Sequence, residues 1–296
     1  MSKSVFHNNL LTPSDLPGIL RYVRLFRRQT FFIGIDEVLI QTDSFSSILK
    51  EIEVLDSLNI RICLFFYKSD KSEFFLIKPD CSYDFATLQE SFDVYDFRLR
   101  ESELEESSSS IKLAKNIQQA FDKQSVCVIR PEDVPINFKS YSLFKLLCQS
   151  TQIHKLIFLS NNECPVINDE PLTNISANEL EKNLLKSSAN QLPDWFLNYS
   201  NLAIEAINDK IERVHLLNCN IHNALLNELF DKVGIGTMIH SNKYEIIREA
   251  NLNDVQALHN LTKNSVKRDT LLNRSIDAIQ LKIADYCVYE IDGSIV

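Results

Sequence analysis

Two apolar runs separated by a helix-patterned segment constrain the fold more than any other feature of this chain. Residues 30–35 and 60–67 are apolar at nearly every position, as in strands that are buried on both faces. Between them, residues 45–58 place Ile48, Ile52 and Leu55 on one side at helical spacing. Strand, helix and strand in this order predict an α/β fold, a three-layer αβα sandwich around a mainly parallel sheet.

The same alternation continues as far as residue 240. We predict further strands at 125–129, 155–160 and 213–217, further helices at 14–29, 85–91, 111–123, 140–150, 176–188, 194–208 and 224–230, and a loop at 161–173. These elements together predict one α/β domain over 1–240.

A different pattern follows that domain. We predict a strand at 245–250, a helix capped by Asn253, a second helix starting at Ser275 and a strand at 286–291. Asp292-Gly293 then favours a tight turn into a short return strand at 294–296. We expect an incomplete α+β unit over 245–296, with an exposed sheet edge at 286–296.

Composition excludes several classes of function. The formal net charge of −9 argues against nucleic-acid binding, which needs clustered Lys and Arg. No apolar run is long enough to span a membrane and the first residues lack a secretory signal, so we expect a cytoplasmic protein. The seven cysteines have no metal-ligand spacing, which favours reduced, buried thiols and predicts no metal site. No catalytic set of Ser, His and Asp residues can be assembled from the sequence.

Two segments carry a family resemblance. Residues 234–239 read Gly-Ile-Gly-Thr-Met-Ile, and residues 247–254 read Ile-Arg-Glu-Ala-Asn-Leu-Asn-Asp. Together they resemble the N-acetylglutamate synthases, in which an amino-acid-kinase-like domain precedes a GNAT acetyltransferase domain that acetylates glutamate with acetyl-CoA. The resemblance implies that 1–240 is the kinase-like domain and 245–296 the first part of the GNAT domain.

The resemblance also implies binding residues. Leu271-Leu272-Asn273-Arg274-Ser275 matches a family segment that approaches glutamate, so Arg274 is the candidate substrate-binding residue. Its guanidinium is suited to hold a carboxylate through two hydrogen bonds. The alternative is that Ser275 caps a helix and Arg274 is a solvated first-turn charge. The synthases also bind L-arginine as an effector in the kinase-like domain, which makes Glu205, Gly234 and Gly236 candidate effector-binding residues.

Departures from the family pattern bear on catalysis. Where active amino-acid kinases carry a glycine-rich phosphate loop after the first strand, this chain has Asp36 and Glu37, whose charges would repel phosphate. A paired-carboxylate acid/base site is the alternative, but adjacent strand-end side chains point to opposite faces. The loop after the second strand, Lys68-Ser69-Asp70-Lys71, lacks the family's glycine, and the middle at 68–140 is shortened. Kinase activity is therefore not expected, and we assign no catalytic residue.

Acetyl-CoA is the family's cofactor, and its pyrophosphate binds backbone N–H groups of a glycine-rich loop. Gly293 is the one glycine after Gly236, so we expect this chain alone to bind no cofactor. The first hypothesis is a catalytically incomplete relative of the synthases, whose kinase-like module associates with itself or with an active synthase and senses arginine. The second is a working acetyltransferase completed by another polypeptide. The third is a relic without function.

Overall fold

A computed structural model describes residues 22–70, 73–78, 88–100, 107–123, 126–138, 151–167, 169–184, 192–231, 234–241, 245–267, 274–291 and 294–295. The chain divides into two compact units, Met1–Ile239 and His240–Val296. Each unit has its own sheet, and each is described by itself below.

A parallel sheet forms the centre of the first unit. Its strands run β4-β5-β2-β1-β7-β11 across the sheet, and every neighbouring pair in this series is parallel. The strands are β1 (Thr30–Asp36), β2 (Arg61–Asp70), β4 (Val94–Leu99), β5 (Val126–Pro131), β7 (Lys155–Ser160) and β11 (Arg213–Asn218). All seven residues of β1 are buried, as its unbroken apolar run predicts.

Shorter strands extend this sheet. Strand β2 forks, because Cys63–Phe65 pair with β5 while Phe66–Asp70 pair antiparallel with β3. The remaining strands are β3 (Glu73–Ile77), β6 (Ile136–Asn137), β10 (Asn174–Ser176) and β12 (Thr237–His240). A separate hairpin joins β8 (Val166–Ile167) to β9 (Glu170–Pro171), so the prediction of a plain loop at 161–173 is wrong at this point.

Helices cover both faces of the sheet, which confirms the predicted αβα layering. One face packs against α3, α4 and α5 through Ile117, Leu180 and Phe196, and the other packs against α2 and α6 through Ile52 and Leu229. The helices are α1 (Glu37–Ile40), α2 (Asp43–Ser57), α3 (Ser107–Asp122), α4 (Ala177–Leu184), α5 (Asp194–Asn208) and α6 (Ala224–Phe230). The predicted helix at 140–150 lies outside the described residues.

The second unit contains a three-stranded antiparallel sheet in the order β13-β14-β15. Its elements are β13 (Glu245–Glu249), a 3₁₀ turn (Leu252–Asp254), α7 (Val255–Lys267), α8 (Ile276–Leu281), a second 3₁₀ turn (Ile283–Asp285), β14 (Cys287–Ile291) and β15 (Ser294–Ile295). The Asp292-Gly293 turn lies outside the described residues.

Hydrogen bonds fix where the helical segments of the second unit begin. Asn251, rather than the predicted Asn253, is the N-terminal cap: its side chain accepts from the Asn253 N–H at 2.9 Å. Asp254 completes a capping box by accepting from the Asn251 N–H at 2.7 Å. The sequence prediction missed this because a 3₁₀ turn precedes the helix. The predicted cap Ser275 is confirmed, since its hydroxyl accepts from the Ala278 N–H at 3.2 Å.

Within the described residues, none of the helices combines the length and the apolar character needed to cross a membrane. In the same part of the chain, His, Cys, Asp and Glu side chains form no cluster of three that could ligate a metal ion.

Candidate functional site

The carboxyl ends of β1, β2, β7 and β11 lie along one edge of the sheet, because these strands are parallel. Ligands of α/β proteins bind preferentially at this edge, where loops leave the strands. At this edge lie Asp36, the last residue of β1, Lys68 near the end of β2, and Ser160, the last residue of β7. We therefore describe this edge first.

The Asp36 carboxylate is turned back onto its own chain. It is only 7% exposed, and its Oδ1 accepts a hydrogen bond from the Val38 N–H at 3.1 Å, which caps the short helix α1. Burial raises the pKa of Asp36 to about 6, because the one backbone hydrogen bond offsets only part of the cost of losing water. The Val38 N–H, which could otherwise donate to a bound anion, is thus already bonded to the Asp36 carboxylate.

Glu37 lies in a different environment from Asp36. It is the first residue of α1 rather than a strand residue, and its Oε1 lies 3.0 Å from Lys68 Nζ. Both side chains of this ion pair are well exposed to solvent. Asp36 and Glu37 therefore do not form a paired-carboxylate site.

Gly34 is the one glycine of β1, and its role is in the core. A Cβ at this position would lie 2.5 Å from the Phe65 ring and 3.1 Å from the Tyr67 ring. The missing side chain makes room for these aromatic rings rather than for a ligand.

Buried tyrosines fill the space beside Asp36. The hydroxyls of Tyr67 and Tyr199 lie 2.8 Å apart, and the Tyr67 hydroxyl also donates to the Leu159 carbonyl at 3.1 Å. Burial raises the pKa of both tyrosines, so they stay protonated at neutral pH. Both hydroxyls therefore have their hydrogen-bond partners within the protein.

A small cleft opens further along the same edge. Its volume is about 30 Å³, which is enough for roughly one water molecule. The Cys164 thiol lies at its wall, 3.3 Å from the Thr237 hydroxyl, and burial raises the pKa of this thiol. Such a cysteine is not an activated nucleophile. The cleft is lined by Ser160, Asn162, Glu163, Cys164, Trp195, Leu216, Leu217, Asn218, Ile221, Ile235, Gly236 and Thr237.

A second polar region surrounds Glu228, on the buried side of α6. Glu228 Oε2 accepts from the N–H groups of Ile235 at 2.8 Å and Gly236 at 2.9 Å. Glu228 Oε1 lies 2.7 Å from His215 Nδ1. This carboxylate thus fixes the segment between α6 and β12 to the middle of β11.

Both glycines of that segment are required by close packing. Gly234 has a φ of +66°, and a Cβ there would approach Glu228 Oε2 to 2.8 Å. At Gly236 a Cβ would lie 2.5 Å from the Leu216 carbonyl oxygen. The Gly-x-Gly pattern therefore allows the chain to wrap closely around the Glu228 carboxylate.

Ionisation differs among the buried groups here. Burial lowers the pKa of His215 to about 4, so the ring is neutral and its Nδ1–H donates to Glu228. Burial acts to raise the pKa of Glu228, but the bonds from His215, Gly236 and Ile235 outweigh it and leave that pKa lowered. Burial also lowers the pKa of Lys155 well below its ordinary value, with Arg213 adding repulsion. The site therefore holds one stable anion, Glu228.

The helix that ends at residue 26 lies beside this region. The Phe26 ring centroid is 5.8 Å from that of Phe230, at the end of α6, and Lys155 Nζ lies 5.1 Å from the Phe26 centroid. The family resemblance also implies that the effector site is near the N-terminal helix and the late glycine-containing segment. The structure brings the described end of that helix next to α6.

The predicted effector residues are only partly brought together. Gly234 and Gly236 meet at Glu228, whereas Glu205 lies on α5, which packs on the other face of the sheet from α6. Glu228 was missed by the sequence analysis. Its signal is a charged residue on the buried side of α6, among Leu225 and Leu229. The effector-binding roles of all these residues remain predictions.

Arg274 lies in the second unit. Its Nη1 donates to the Tyr286 hydroxyl at 2.6 Å, and its guanidinium carbon lies 5.9 Å from the centroid of that ring. Arg274 is exposed and immediately precedes the helix cap Ser275. Ser275 thus caps the helix, as the alternative interpretation predicted. The role of Arg274 in binding glutamate remains a prediction.

The class of protein follows from comparison of the fold and the sequence with known proteins. No family model matches the chain. A structure of N-acetylglutamate synthase from Neisseria gonorrhoeae, complexed with coenzyme A and L-arginine, matches with a TM-score of 0.70 and 18% identity. That match covers 95% of this chain and 77% of the other. The first unit accordingly has an amino-acid-kinase-like fold.

Curated sequences point the same way. An amino-acid acetyltransferase of Pasteurella multocida is 28% identical over 189 residues, which is 62% of this chain and 43% of that protein. An amino-acid acetyltransferase of Actinobacillus pleuropneumoniae is 36% identical over 94 residues, which is 32% of this chain and 22% of that protein. By sequence and by fold, the chain is related to the N-acetylglutamate synthases. It spans less than half the length of these curated relatives.

Proposed function

We propose that the first unit is a non-phosphorylating regulatory module of an N-acetylglutamate synthase-related protein, and that it senses L-arginine at Glu228. The observation that carries the proposal is the contrast between the two polar regions. At the carboxyl edge, Asp36 bonds the Val38 N–H and the two tyrosine hydroxyls bond each other, whereas Glu228 is held ionised against a glycine segment. A kinase needs the first region open, and an effector site needs only the second.

The chemistry of Glu228 suits a guanidinium. Its carboxylate stays negative because His215 and two backbone N–H groups stabilise the charge. Oε1 has His215 as its hydrogen-bond partner and retains a lone pair for a further donor. A guanidinium presents paired N–H donors that match a carboxylate. L-Arginine is also the ligand in the Neisseria synthase structure, which supports the choice of effector.

Thermal stability tests the effector proposal. We expect millimolar L-arginine to raise the melting temperature of the full chain, since a ligand that binds the folded state stabilises it. L-Lysine serves as the control ligand, because an ammonium lacks the paired donors. Glu228→Gln should abolish the shift while leaving a folded protein. A wild-type melting temperature unaffected by L-arginine would refute the proposal.

The second unit enters the proposal as the beginning of a GNAT acetyltransferase domain, with Arg274 as the candidate contact to glutamate. Of the residues after Gly236, Gly293 is the one glycine, so a glycine-rich pyrophosphate loop is not among them. Acetyl transfer then needs a coenzyme-A-binding segment other than residues 237–296. We therefore propose that residues 237–296 alone do not transfer an acetyl group, and that the first unit mediates association with itself or with a related synthase.

A thiol-release assay separates this interpretation from its alternatives. Purified chain with acetyl-CoA and glutamate should release no coenzyme A, and adding an active synthase should give a mixed complex in a mass measurement. Release by the chain alone would overturn the incomplete interpretation. Release only after a second, inactive polypeptide is added would favour the acetyltransferase completed in trans. A chain that neither associates with a synthase nor responds to arginine would favour the third hypothesis, a relic without function.

A further inference from the structure

Helix α6 lacks a cap from its own sequence neighbours. In the part of the chain that the structure describes, the N-cap residue Asn223, which precedes Ala224, has a φ of 54° and makes no side-chain cap bond. The first turn of a helix has free N–H groups, and leaving them unpaired in a buried place is costly. The N–H groups of Leu225 and Leu226 therefore need an acceptor from elsewhere.

Glu51 of α2 supplies that acceptor. Its Oε2 accepts from the Leu225 N–H at 2.8 Å and from the Leu226 N–H at 3.1 Å, across 174 and 175 residues of sequence. These are the second and third residues of α6, the positions that an N-cap side chain ordinarily serves. Glu51 is 5% exposed, so both bonds form away from bulk water.

Helix α6 is consequently held by two buried carboxylates. Glu51 holds its first turn, and Glu228 ties its later part to His215, Ile235 and Gly236. The helix has only seven residues, so a displacement of its first turn moves Glu228 as well. The two carboxylates therefore act on one rigid element.

We propose that Glu51 is a positioning residue for the Glu228 site: by capping α6 from α2, it sets where the Glu228 carboxylate meets the glycine segment and the effector. The claim that Glu51 positions Glu228 rests on the hydrogen bonds alone. The claim that this affects effector binding rests on the proposed function. Glu51 does not contact the effector itself.

Amide hydrogen exchange in the full chain tests the geometric part without any ligand. In Glu51→Ala, the Ile235 and Gly236 amides should exchange at least tenfold faster than in wild type, because Glu228 no longer holds them in place. Amides in the centre of β1 and β7 should be unchanged, which separates local displacement from general loss of stability. Glu51→Gln keeps an acceptor oxygen and should show a smaller effect. Glu53→Gln, an exposed change on the same helix, should show none.

Calorimetry with L-arginine tests the effector part. Glu51→Ala should weaken arginine binding about tenfold, and Glu51→Gln less. Unchanged exchange at Ile235 and Gly236 in both variants would overturn the role of Glu51, whether or not arginine binds. Faster exchange in a protein whose wild type does not bind arginine would refute the effector proposal and uphold the positioning role. Should Glu51→Ala not fold, Glu51→Gln decides: exchange at Ile235 and Gly236 faster than in Glu53→Gln would support the role of Glu51, and equal exchange would overturn it.

Discussion

Asp36 and Glu228 are both buried carboxylates of the first unit, yet burial has opposite results at the two places. Asp36 has one backbone donor, and burial raises its pKa to about 6. Glu228 has two backbone donors and His215, and its pKa is lowered. The number of hydrogen-bond donors, rather than the degree of burial, therefore decides which carboxylate stays charged.

This difference separates the two regions functionally. Near Asp36, the Val38 N–H is bonded to the Asp36 carboxylate, and the Tyr67 and Tyr199 hydroxyls are bonded to each other. Near Glu228, an ionised carboxylate is packed closely against Gly234 and Gly236. The polar groups around Asp36 are thus bonded within the protein, whereas Glu228 is the carboxylate for which we propose a ligand.

The largest expected effect follows from removing the Glu228 carboxylate. Glu228→Ala should destabilise the first unit by about 3 kcal/mol, because it leaves two buried N–H groups and the His215 Nδ1–H without an acceptor. Urea unfolding followed by the fluorescence of Trp195, the one tryptophan of the chain, measures this change. A loss below that of an ordinary surface substitution would mean that Glu228 is not the anchor of its region.

The second expected effect concerns pH. Because the folded-state pKa of His215 is lowered to about 4 from 6.5, the folded state binds fewer protons than the unfolded state in this window. Stability should be fully present above pH 6.5 and fall by about 2 kcal/mol as pH drops towards 4. His215→Asn should flatten this slope in unfolding curves taken between pH 7 and 4.5. An unchanged slope in the variant would assign the acid sensitivity to other groups.

Asp36 should respond to pH in the opposite sense. Its folded-state pKa is raised from 3.8 to about 6, so its contribution to stability is present below pH 3.8 and is lost as pH rises through 6. Asp36→Asn keeps an acceptor for the Val38 N–H and removes the buried charge. It should stabilise the protein by roughly 1 kcal/mol at pH 8 and by nothing at pH 3.5. Destabilisation at pH 8 would show that the charged cap is favourable after all.

The smallest effect is expected at the surface ion pair. Lys68→Ala should change the free energy of unfolding by less than about 0.5 kcal/mol, since both partners are exposed and screened by solvent. The measurement is the same fluorescence-detected unfolding at low and at physiological salt. A larger, salt-dependent loss would mean that Glu37 and Lys68 help to close the carboxyl edge.

The strands at the centre of the sheet were predictable from sequence, and the polar contacts were not. The central residues of β1, β2, β7 and β11 are buried on both faces, and they therefore read as runs of mainly apolar residues. Strand β4 was missed because it carries Asp96 and Arg98. Asp96 bonds Arg130 on the neighbouring strand at 2.7 Å, and a contact across 34 residues leaves no local pattern.

The candidate site shows the same limit. Gly234 and Gly236 were found through the family resemblance, since their spacing is local. Glu228 and Glu51 have their partners 7 to 13 residues and about 174 residues away, so local patterns in the sequence do not identify those partners. Buried charge on an apolar helix face is the signal that could have singled out both.

The position of β1 has a consequence for synthesis of the chain. Its two neighbours are β2, which follows at once, and β7, which begins at Lys155. A growing chain therefore holds a mainly apolar strand with one side unpaired until some 120 further residues have left the ribosome. During that interval the first half of the molecule presents an adhesive edge, and the cell must shield it or fold the second half quickly.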